Sequence, residues 1–396
     1  MGKKLRIGMA GAGFIAAAHY DSSKTVYGVD FEIAGITDII PEKAGSFARE
    51  RGIACYPDFE EMLKDVDAVD ICTPPFAHAD NILAAASAHK GIMCEKPLLG
   101  YSPEQKDWAD FNGMETSKEL MLTAISQKTK DVYEAVKQNG VCFTYFENFV
   151  YTPQVQREAE IVSKTKAQIL RMTGEEAHKG NHAGYSNQWR FAGGGSLIST
   201  GSHPLGAILY LKRVEGYSRL GRPIRPVSVS ARIHTLTKCR DYEDKGFLRC
   251  DYHDVEDYGW AHVVFEDGTV GDVIAGATVL GGINDYVDVF AANHRTRITI
   301  NPVTLMETYN PKASQFEGIY ANCMTSTDEG WLKMGIDENY LFGYKPEMQD
   351  ALECLATGRQ PVSGIELAAD TILTIYSGYL SAERGGQEVV IERIGG

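Results

Sequence analysis

The sequence predicts an α/β protein in which a parallel sheet wound with helices precedes a second α/β domain built on a large, mostly antiparallel sheet. Three observations predict this class. Short apolar strands alternate with helices from residue 5 to residue 145, and longer alternating or aromatic strands follow between about 150 and 300. The chain has 396 residues, of which 44% are apolar, which is enough for two domains with their own cores.

The first region alternates strand and helix along its whole length. The predicted strands span 5–10, 31–37, 68–72, 91–94 and 141–145, and the predicted helices span 14–23, 40–51, 78–89 and 118–139. Pro41 is allowed in the first turn of its helix. Thr116 and Glu119 form a capping box before the last helix, and Gly140 ends it. This alternation predicts βαβ units and a parallel sheet.

The second region changes to long strands. These are predicted at 227–233, 258–265, 270–279, 286–292 and 296–300, with Glu266-Asp267-Gly268-Thr269 as a hairpin turn. Helices return at 346–357 and 366–384. We therefore expect one domain over 1–147 and another over 148–396, with the last helices packing back on the first domain.

Charge and cysteine content exclude several classes of protein. The net charge of −14 disfavours a nucleic-acid partner, which needs a basic surface, but it does not forbid a nucleotide cofactor. The eight cysteines form no CxxC pair, so we expect reduced thiols in the cytoplasm. No signal peptide, transmembrane segment or metal site is expected.

A glycine-rich turn follows the first strand and opens a helix. Its pattern G-x-G-x-x-A begins at Gly11 and ends at Ala16. In this context the glycines allow a tight turn and let the backbone approach a pyrophosphate. We expect the cofactor to contact Gly11, Gly13, Phe14 and Ile15. A glycine-rich turn without a ligand is the alternative.

Asp38 ends the second strand. An acid there accepts hydrogen bonds from the ribose 2′-hydroxyl and repels a 2′-phosphate, which favours NAD over NADP. A helix N-cap beside Pro41 is the competing interpretation.

Two further strand ends carry unusual residues. Thr73-Pro74-Pro75 leaves the strand at 68–72 in an extended conformation before the helix that begins near His78. Glu95-Lys96-Pro97 ends the apolar strand that precedes it, although an unpaired buried ammonium is costly. Ligands bind at the carboxyl ends of strands in open parallel sheets. We therefore expect these residues, with His78 and Glu95 among them, to face a cofactor, although a plain strand-to-helix turn would also explain the prolines.

Together these motifs resemble those of the Gfo/Idh/MocA oxidoreductases. The resemblance is carried by the glycine turn, Thr73-Pro74-Pro75-Phe76-Ala77-His78, Cys94-Glu95-Lys96-Pro97-Leu98, and the block 193–204 that runs from a glycine triplet to Gly201-Ser202-His203. It extends over nearly the whole chain. It implies a Rossmann domain, a C-terminal α/β domain, an active site between them, and hydride transfer between a nicotinamide and a sugar or cyclitol hydroxyl.

The resemblance also implies roles for particular residues. The family's lysine corresponds to Lys96 and its histidine to His203, and Glu95 either holds Lys96 or contacts the cofactor. The family commonly has an aspartate four residues before the histidine, where this chain has Ser199. Serine cannot orient an imidazole by charge. We therefore expect Lys96 to carry more of the acid–base work.

Several polar and aromatic residues are further candidates for the site. Trp189 and Arg190 are expected at the cofactor, and Lys179, His182, Asn148 and Tyr151 at the substrate. A solvated loop over 175–182 is the competing interpretation. The segment 101–117 is expected to line the substrate mouth, to form a subunit contact, or to be a surface loop. The group His253, Asp254, Glu256 and Asp257 is interpreted as a solvated loop.

The predicted function is NAD-dependent oxidation of a secondary hydroxyl of a sugar, glycoside or cyclitol, with the glycoside 3-hydroxyl as the sharpest expectation. The alternatives are an NAD-dependent glycosidase that works by oxidation and elimination, and a non-catalytic NAD-binding sugar sensor. We expect a small-molecule substrate, a homo-oligomer, and no nucleic-acid or membrane partner.

Overall fold

A computed structural model describes residues 4–181, 183–301, 306–321 and 329–395. The first domain is a parallel sheet with strand order β3-β2-β1-β4-β5-β6, in which the order reverses beside β1. Its strands are β1 (Leu5–Ala10), β2 (Phe31–Thr37), β3 (Ala54–Cys55), β4 (Ala68–Ile71), β5 (Gly91–Glu95) and β6 (Phe143–Phe146). This is the doubly wound order of dinucleotide-binding folds, and the expected parallel sheet is confirmed.

Five helices connect the strands of this sheet. They are α1 (Phe14–Ser23), α2 (Pro41–Arg51), α3 (Phe59–Asp65), α4 (His78–Ser87) and α5 (Lys118–Asn139). Helix α5 has the predicted bounds and ends at Gly140 in the left-handed conformation, with φ +62°. The capping-box prediction, which placed the cap at Thr116, is wrong. The N-cap is Ser117, whose hydroxyl accepts the Leu120 N–H.

The second sheet has the order β12-β11-β7-β10-β9-β8-β15, and only β7 and β10 pair in parallel. Two further strands form a separate hairpin-like sheet. In chain order the strands are β7 (Ile169–Ala177), β8 (Pro226–His234), β9 (Tyr258–Phe265), β10 (Val270–Gly276), β11 (Asn284–Ala291), β12 (Arg295–Thr299), β13 (Glu307–Asn310), β14 (Gly330–Lys333) and β15 (Val389–Val390). The predicted turn between β9 and β10 is confirmed, with Val264 paired to Val270 and Gly268 at φ +79°.

The remaining helices belong to the second half of the chain. They are α6 (Asn148–Tyr151), α7 (Pro153–Thr165), α8 (Trp189–Ala192), α9 (Ser196–Ser199), α10 (Ser202–Leu220), α11 (Glu338–Leu341), α12 (Tyr344–Thr357) and α13 (Ile365–Glu383). Helix α12 packs on α1 and α13 packs on α5, so the last helices contact elements of the first domain. The division at 147/148 falls between β6 and α6 and remains a prediction.

Two elements that form the site are absent from the predicted set. Helix α10 contains Pro204 and two glycines, which weaken the helical signal. Gly206 is nevertheless required, because a Cβ there would lie 2.6 Å from Glu147 Cγ. Strand β7 ends in Glu175-Glu176, which reads as a polar loop in the sequence but pairs with two neighbouring strands in the sheet.

The described cysteines are all free thiols. Within the described residues, every helix is too short or too polar to cross a lipid bilayer.

Candidate active site

The glycine turn leaves room for a ligand in front of α1. Gly11 has φ +93°, and a Cβ at this position would lie 2.7 Å from the Cys72 carbonyl oxygen. Gly13 is the N-cap of α1, and no side chain caps the helix there. No atom lies within 4 Å of the position of a Cβ on Gly13. The first turn of α1 also lacks an acid, so an anion would meet backbone N–H groups and no repulsion.

Asp38 is held against this turn. Its Oδ2 accepts the Ala12 N–H at 2.7 Å, and its Oδ1 accepts the Ile40 N–H at 2.8 Å. Each carboxylate oxygen keeps a second lone pair for a ribose hydroxyl. The side chain of Phe14 is 85% exposed beside the turn, and Ile15 is half-buried. The free space beside Gly13, the uncapped start of α1 and the carboxylate of Asp38 at the end of β2 together suit the binding of NAD.

His78 does not face this space. It is fully buried, with Nε2 2.7 Å from the Thr73 carbonyl oxygen and Nδ1 2.9 Å from that of Pro97. Burial lowers the pKa of its imidazole. The expectation that His78 contacts the cofactor is therefore wrong, because the ring is buried and each of its nitrogens lies against a backbone carbonyl oxygen. Through these contacts His78 fixes the Thr73-Pro74 turn beside the turn that follows Lys96.

Glu95 belongs to a buried charge cluster. Its Oε1 lies 3.1 Å from His19 Nε2, and the other nitrogen of His19 lies 3.0 Å from Asp70 Oδ2. Burial acts to lower the pKa of His19, but the charge of Asp70 helps to raise it well above its ordinary value. The second oxygen of Glu95 accepts the main-chain N–H of Lys96 at 3.0 Å. Glu95 therefore holds Lys96 through the backbone.

His19, Asp70 and Cys72 also bring three potential metal-ligand atoms within 4.8 Å of one another. Both nitrogens of His19 already face carboxylates, and all three side chains are buried. The expectation of a protein without a metal site remains a prediction.

Lys96 reaches from the first domain to the second. Its Nζ donates to the main-chain oxygen of Ser199 at 2.8 Å. Ser199 is the last residue of α9 and lies four positions before His203. The structure thus brings together the two residues expected to be catalytic, although about a hundred positions separate them in the sequence.

His203 has a carboxylate partner that the sequence does not place next to it. Its Nδ1 lies 2.5 Å from Oε1 of Glu147, which is fully buried directly after β6. The ring of Phe149 stacks on the imidazole at 4.8 Å between centroids. A carboxylate at Nδ1 requires the proton on that nitrogen, which leaves Nε2 as the acceptor in the neutral ring. Glu147 therefore supplies the orienting charge that Ser199 cannot supply.

Glu176 approaches the same imidazole from β7. Its Oε2 lies 3.7 Å from His203 Nε2, and its side chain is 12% exposed. Burial raises the pKa of Glu176, although the charges of His203 and Lys96 oppose that effect. Glu147 and Glu176 both follow or end a strand, and this shared position is the signal that would have identified them.

A small cleft opens next to these residues. It lies where β7 ends and α9 begins, within the region expected to bind substrate. Its lining residues are His178, Asn181, Ser186, Gly195, Ser196, Ser199, Thr200, Tyr252 and Ala277. Most of these residues carry polar side chains, which can bind a hydroxyl group.

Trp189 does not lie as expected. Trp189 is fully buried against Tyr379, with ring centroids 4.8 Å apart, so it belongs to the core and not to a cofactor surface. Arg190 donates to the main-chain oxygen of Trp108 at 2.9 Å and to Gln188 at 2.6 Å. The expectation of cofactor contact is wrong for Trp189, because its side chain is buried in the core, whereas that for Arg190 stays a prediction.

The four residues expected at the substrate lie in different environments. Tyr151 is buried and donates to Asp350 at 2.9 Å, and Asn148 donates to the Phe342 carbonyl at 2.7 Å, so both are structural. Lys179 is half-buried beside His178 and Asn181 but does not line the cleft. His182 lies outside the described residues.

The segment 101–117 packs on the second domain. Trp108 contacts Phe76 and Phe191 at 6.1 and 5.3 Å between ring centroids, and the Gly113 N–H donates to Asp254. The segment 253–257 is a loop, as expected, but it is not solvated throughout, because Glu256 and Asp257 are fully buried. Glu256 accepts the N–H groups of Gly195 and Leu197, and burial raises its pKa to about 7. These contacts hold the start of α9, the helix that ends at Ser199.

Several known proteins resemble this chain in sequence and in fold. The model of an oxidoreductase family with an NAD-binding Rossmann fold matches residues 5–123. Glucose-6-phosphate 3-dehydrogenase of Bacillus subtilis is 32% identical over 93 residues, which are 24% of this chain and 26% of that enzyme. Levoglucosan dehydrogenase of Pseudarthrobacter phenanthrenivorans is 27% identical over 305 residues, which are 72% of this chain and 70% of that enzyme.

The first relatives match over only 26–28% of their length. The fold, by contrast, matches over nearly the whole chain. The crystal structure of GenD2 from gentamicin A biosynthesis, in complex with NAD, covers 99% of this chain and 97% of its own, with a TM-score of 0.77 at 20% identity. Residues 5–123, which include the glycine turn and the Glu-Lys-Pro strand end, therefore match the NAD-binding Rossmann domain of the Gfo/Idh/MocA oxidoreductase family, and the whole chain has the two-domain fold seen in GenD2.

Proposed function

We propose that the chain oxidises a secondary hydroxyl of a sugar, glycoside or cyclitol with NAD. One observation carries this proposal: Lys96, at the carboxyl edge of the Rossmann sheet, bonds to the segment that leads to His203, and the charges of both residues act on Glu176. The lysine ammonium donates to Ser199 O at 2.8 Å, and that carbonyl belongs to the segment that leads to His203. The substrates named for the two sequence relatives, glucose 6-phosphate and levoglucosan, support a sugar.

NAD, when bound, accepts the hydride that leaves the carbinol carbon. The residues of this chain then have two tasks: to take the hydroxyl proton and to stabilise negative charge on the oxygen. His203 suits the first task. Its Nδ1 is bound to Glu147, so Nε2 is oriented as the acceptor, and Glu147 stabilises the imidazolium that forms.

Lys96 suits the second task. Its ammonium already donates to the Ser199 carbonyl, which fixes the charge at the domain junction. A positive charge in this partly desolvated site acts more strongly on a developing alkoxide than it would in water. We therefore assign the proton acceptor role to His203 and the electrostatic role to Lys96.

The position of oxidation is a narrower proposal. The relative named as a 3-dehydrogenase supports the 3-hydroxyl of a sugar or glycoside, with a 3-keto product. The polar cleft next to Ser199 provides hydroxyl-binding groups, among them Asn181, Ser186 and Thr200.

A substrate panel tests the proposal. Glycosides, free sugars and cyclitols are incubated with purified protein and NAD, NADH is followed by absorbance, and products are identified by NMR. We expect NADH with a keto-sugar product, and loss of both in Lys96→Ala. Release of free sugar without net NADH would instead indicate the oxidation–elimination glycosidase. Tight NAD binding without turnover of any compound would indicate a sensor.

We also propose a homo-oligomer. Along β9 the side chains alternate, and Tyr258, Trp260, His262 and Val264 form a half-exposed face of the second sheet. A second subunit on this face would cover its apolar surface. Size-exclusion chromatography with light scattering tests this, and a monomer at assay concentration would contradict it.

A further inference from the structure

Two carboxyl groups face each other beside His203. Strands β7 and β11 pair antiparallel, and their register sets Glu176 directly opposite Asp285. Paired residues project to the same face of a sheet, and like charges placed this way destabilise it. Asp285 is 3% exposed, so water does not screen the pair. Two ionised carboxylates are therefore unfavourable at this position.

Each of these acids has an unpaired oxygen. Among the described residues, neither Glu176 Oε2 nor Asp285 Oδ1 has a hydrogen-bond partner, and both atoms are buried. An unsatisfied buried polar atom costs about 1–3 kcal/mol. A polar group of a ligand that reaches such an atom would satisfy it.

The unpaired oxygen of Glu176 points toward the proposed base. It lies 3.7 Å from His203 Nε2, which is too far for a direct hydrogen bond. A substrate hydroxyl between them can lie about 2.8 Å from both atoms. That hydroxyl would donate to Nε2 and accept from a protonated Glu176. The other imidazole nitrogen is held by Glu147, so Nε2 is the one available.

The charges around Glu176 come from several elements. His203 on α10 and Lys96 after β5 lower its pKa, whereas burial and the charge of Glu147 after β6 raise it. Burial, together with the charges of Glu176 and Glu175, raises the pKa of Asp285 well above its ordinary value. Burial raises the pKa of the phenol of Tyr344, on α12, and the charges of Glu95, Glu347 and Glu176 add to this effect.

We propose that Glu176 is a third group at the reacting oxygen, where its buried, protonated carboxyl donates a hydrogen bond to the hydroxyl that His203 deprotonates. This role rests on the proposed oxidation. The hydroxyl proton goes to His203 Nε2, the hydride leaves the carbinol carbon for the nicotinamide, and Glu176 retains its own proton. A buried carboxylic acid is a strong donor to an oxygen that gains negative charge.

Infrared spectroscopy tests the protonation state without substrate or turnover. We expect the wild-type protein at neutral pH to show a carboxylic-acid carbonyl band that Glu176→Gln lacks in the difference spectrum. The band should persist in Asp285→Asn, which separates it from the carboxyl of Asp285, whose pKa is also raised, and its loss there would assign the proton to Asp285 and contradict the proposal. Glu158→Gln, which alters a buried acid on α7, should leave the band unchanged. A wild-type spectrum identical to that of Glu176→Gln would overturn the proposal.

Kinetics with the substrate found in the panel tests the donor role. In the wild type, kcat should fall at alkaline pH as the carboxyl of Glu176 loses its proton. Glutamine keeps an N–H donor that does not titrate, so Glu176→Gln should retain most of kcat and should not show this fall. Glu176→Ala should lose about 100-fold or more. Equal losses in Glu176→Gln and Glu176→Ala, with both proteins folded by circular dichroism, would overturn the donor role. If no compound in the panel is oxidised, the proposed function fails, whereas the infrared result still decides the protonation of Glu176.

Discussion

Replacing Glu147 by glutamine tests how His203 is oriented. The substitution keeps the size of the side chain and removes its charge, so the contact at 2.5 Å from Nδ1 loses its ionic character. A hydrogen bond to a charged group contributes about 1.5–3 kcal/mol. At 1.36 kcal/mol for each tenfold change in rate, we expect Glu147→Gln to lower kcat/KM roughly 10- to 150-fold.

The assay is NADH formation with the substrate found in the panel, together with thermal unfolding. Glu158→Gln is a matched control, because Glu158 is also a buried acid bound to a histidine, with His294 Nε2 at 2.8 Å from Oε1. The control should lose stability without losing activity. A folded Glu147→Gln protein with wild-type kcat/KM would refute the assignment of Glu147 as the orienting group.

Three other substitutions test separate parts of the structure. Lys96→Met should lower kcat by about 10²- to 10³-fold and weaken NAD binding far less, as measured by kinetics and fluorescence titration; a near-normal kcat would contradict its electrostatic role. Asp38→Ala should reduce the preference for NAD over NADP by about tenfold, because one charged hydrogen bond to the ribose is lost; an unchanged ratio of dissociation constants would exclude it from ribose binding. His19 has a raised pKa, so its stabilising effect is full below the ordinary histidine pKa of about 6.5 and is lost as the pH rises through the raised value. The difference in Tm between wild type and His19→Gln should therefore be largest in mildly acidic buffer and narrow in alkaline buffer, and a constant difference would contradict the ion cluster.

The local features of the first domain could be predicted from sequence because their causes are local. A strand, a glycine turn and an uncapped helix follow one another within Leu5–Ser23, and each is specified by neighbouring residues. The same holds for α5, whose bounds follow from its cap and from Gly140. Strand β7 was not predictable in this way, because its polar end is stabilised by pairing with β10 and β11.

Motifs predicted which residues lie near the site better than which way their side chains point. His78 belongs to the Thr73-Pro74 motif, yet each of its ring nitrogens lies against a backbone carbonyl oxygen. Trp189 and Tyr151 also lie near site residues in the sequence, yet both side chains are buried in the core. The direction in which a side chain points depends on contacts with elements that are distant in the sequence. Trp189 packs on Tyr379 of α13, and Tyr151 bonds to Asp350 of α12.

The division of work between Lys96 and His203 shows the same limit in chemical terms. Taken alone, Ser199 favours Lys96 as the main base, since a serine cannot orient an imidazole by charge. The structure supplies that charge from Glu147, which lies 56 positions away in sequence and reaches His203 because Gly206 lets α10 approach it closely. Lys96 Nζ meanwhile donates to the Ser199 carbonyl at 2.8 Å, which holds this side chain at the domain junction. We therefore infer that the carboxylate absent from position 199 is replaced across the domain junction, so that His203 remains the base and Lys96 provides the positive charge.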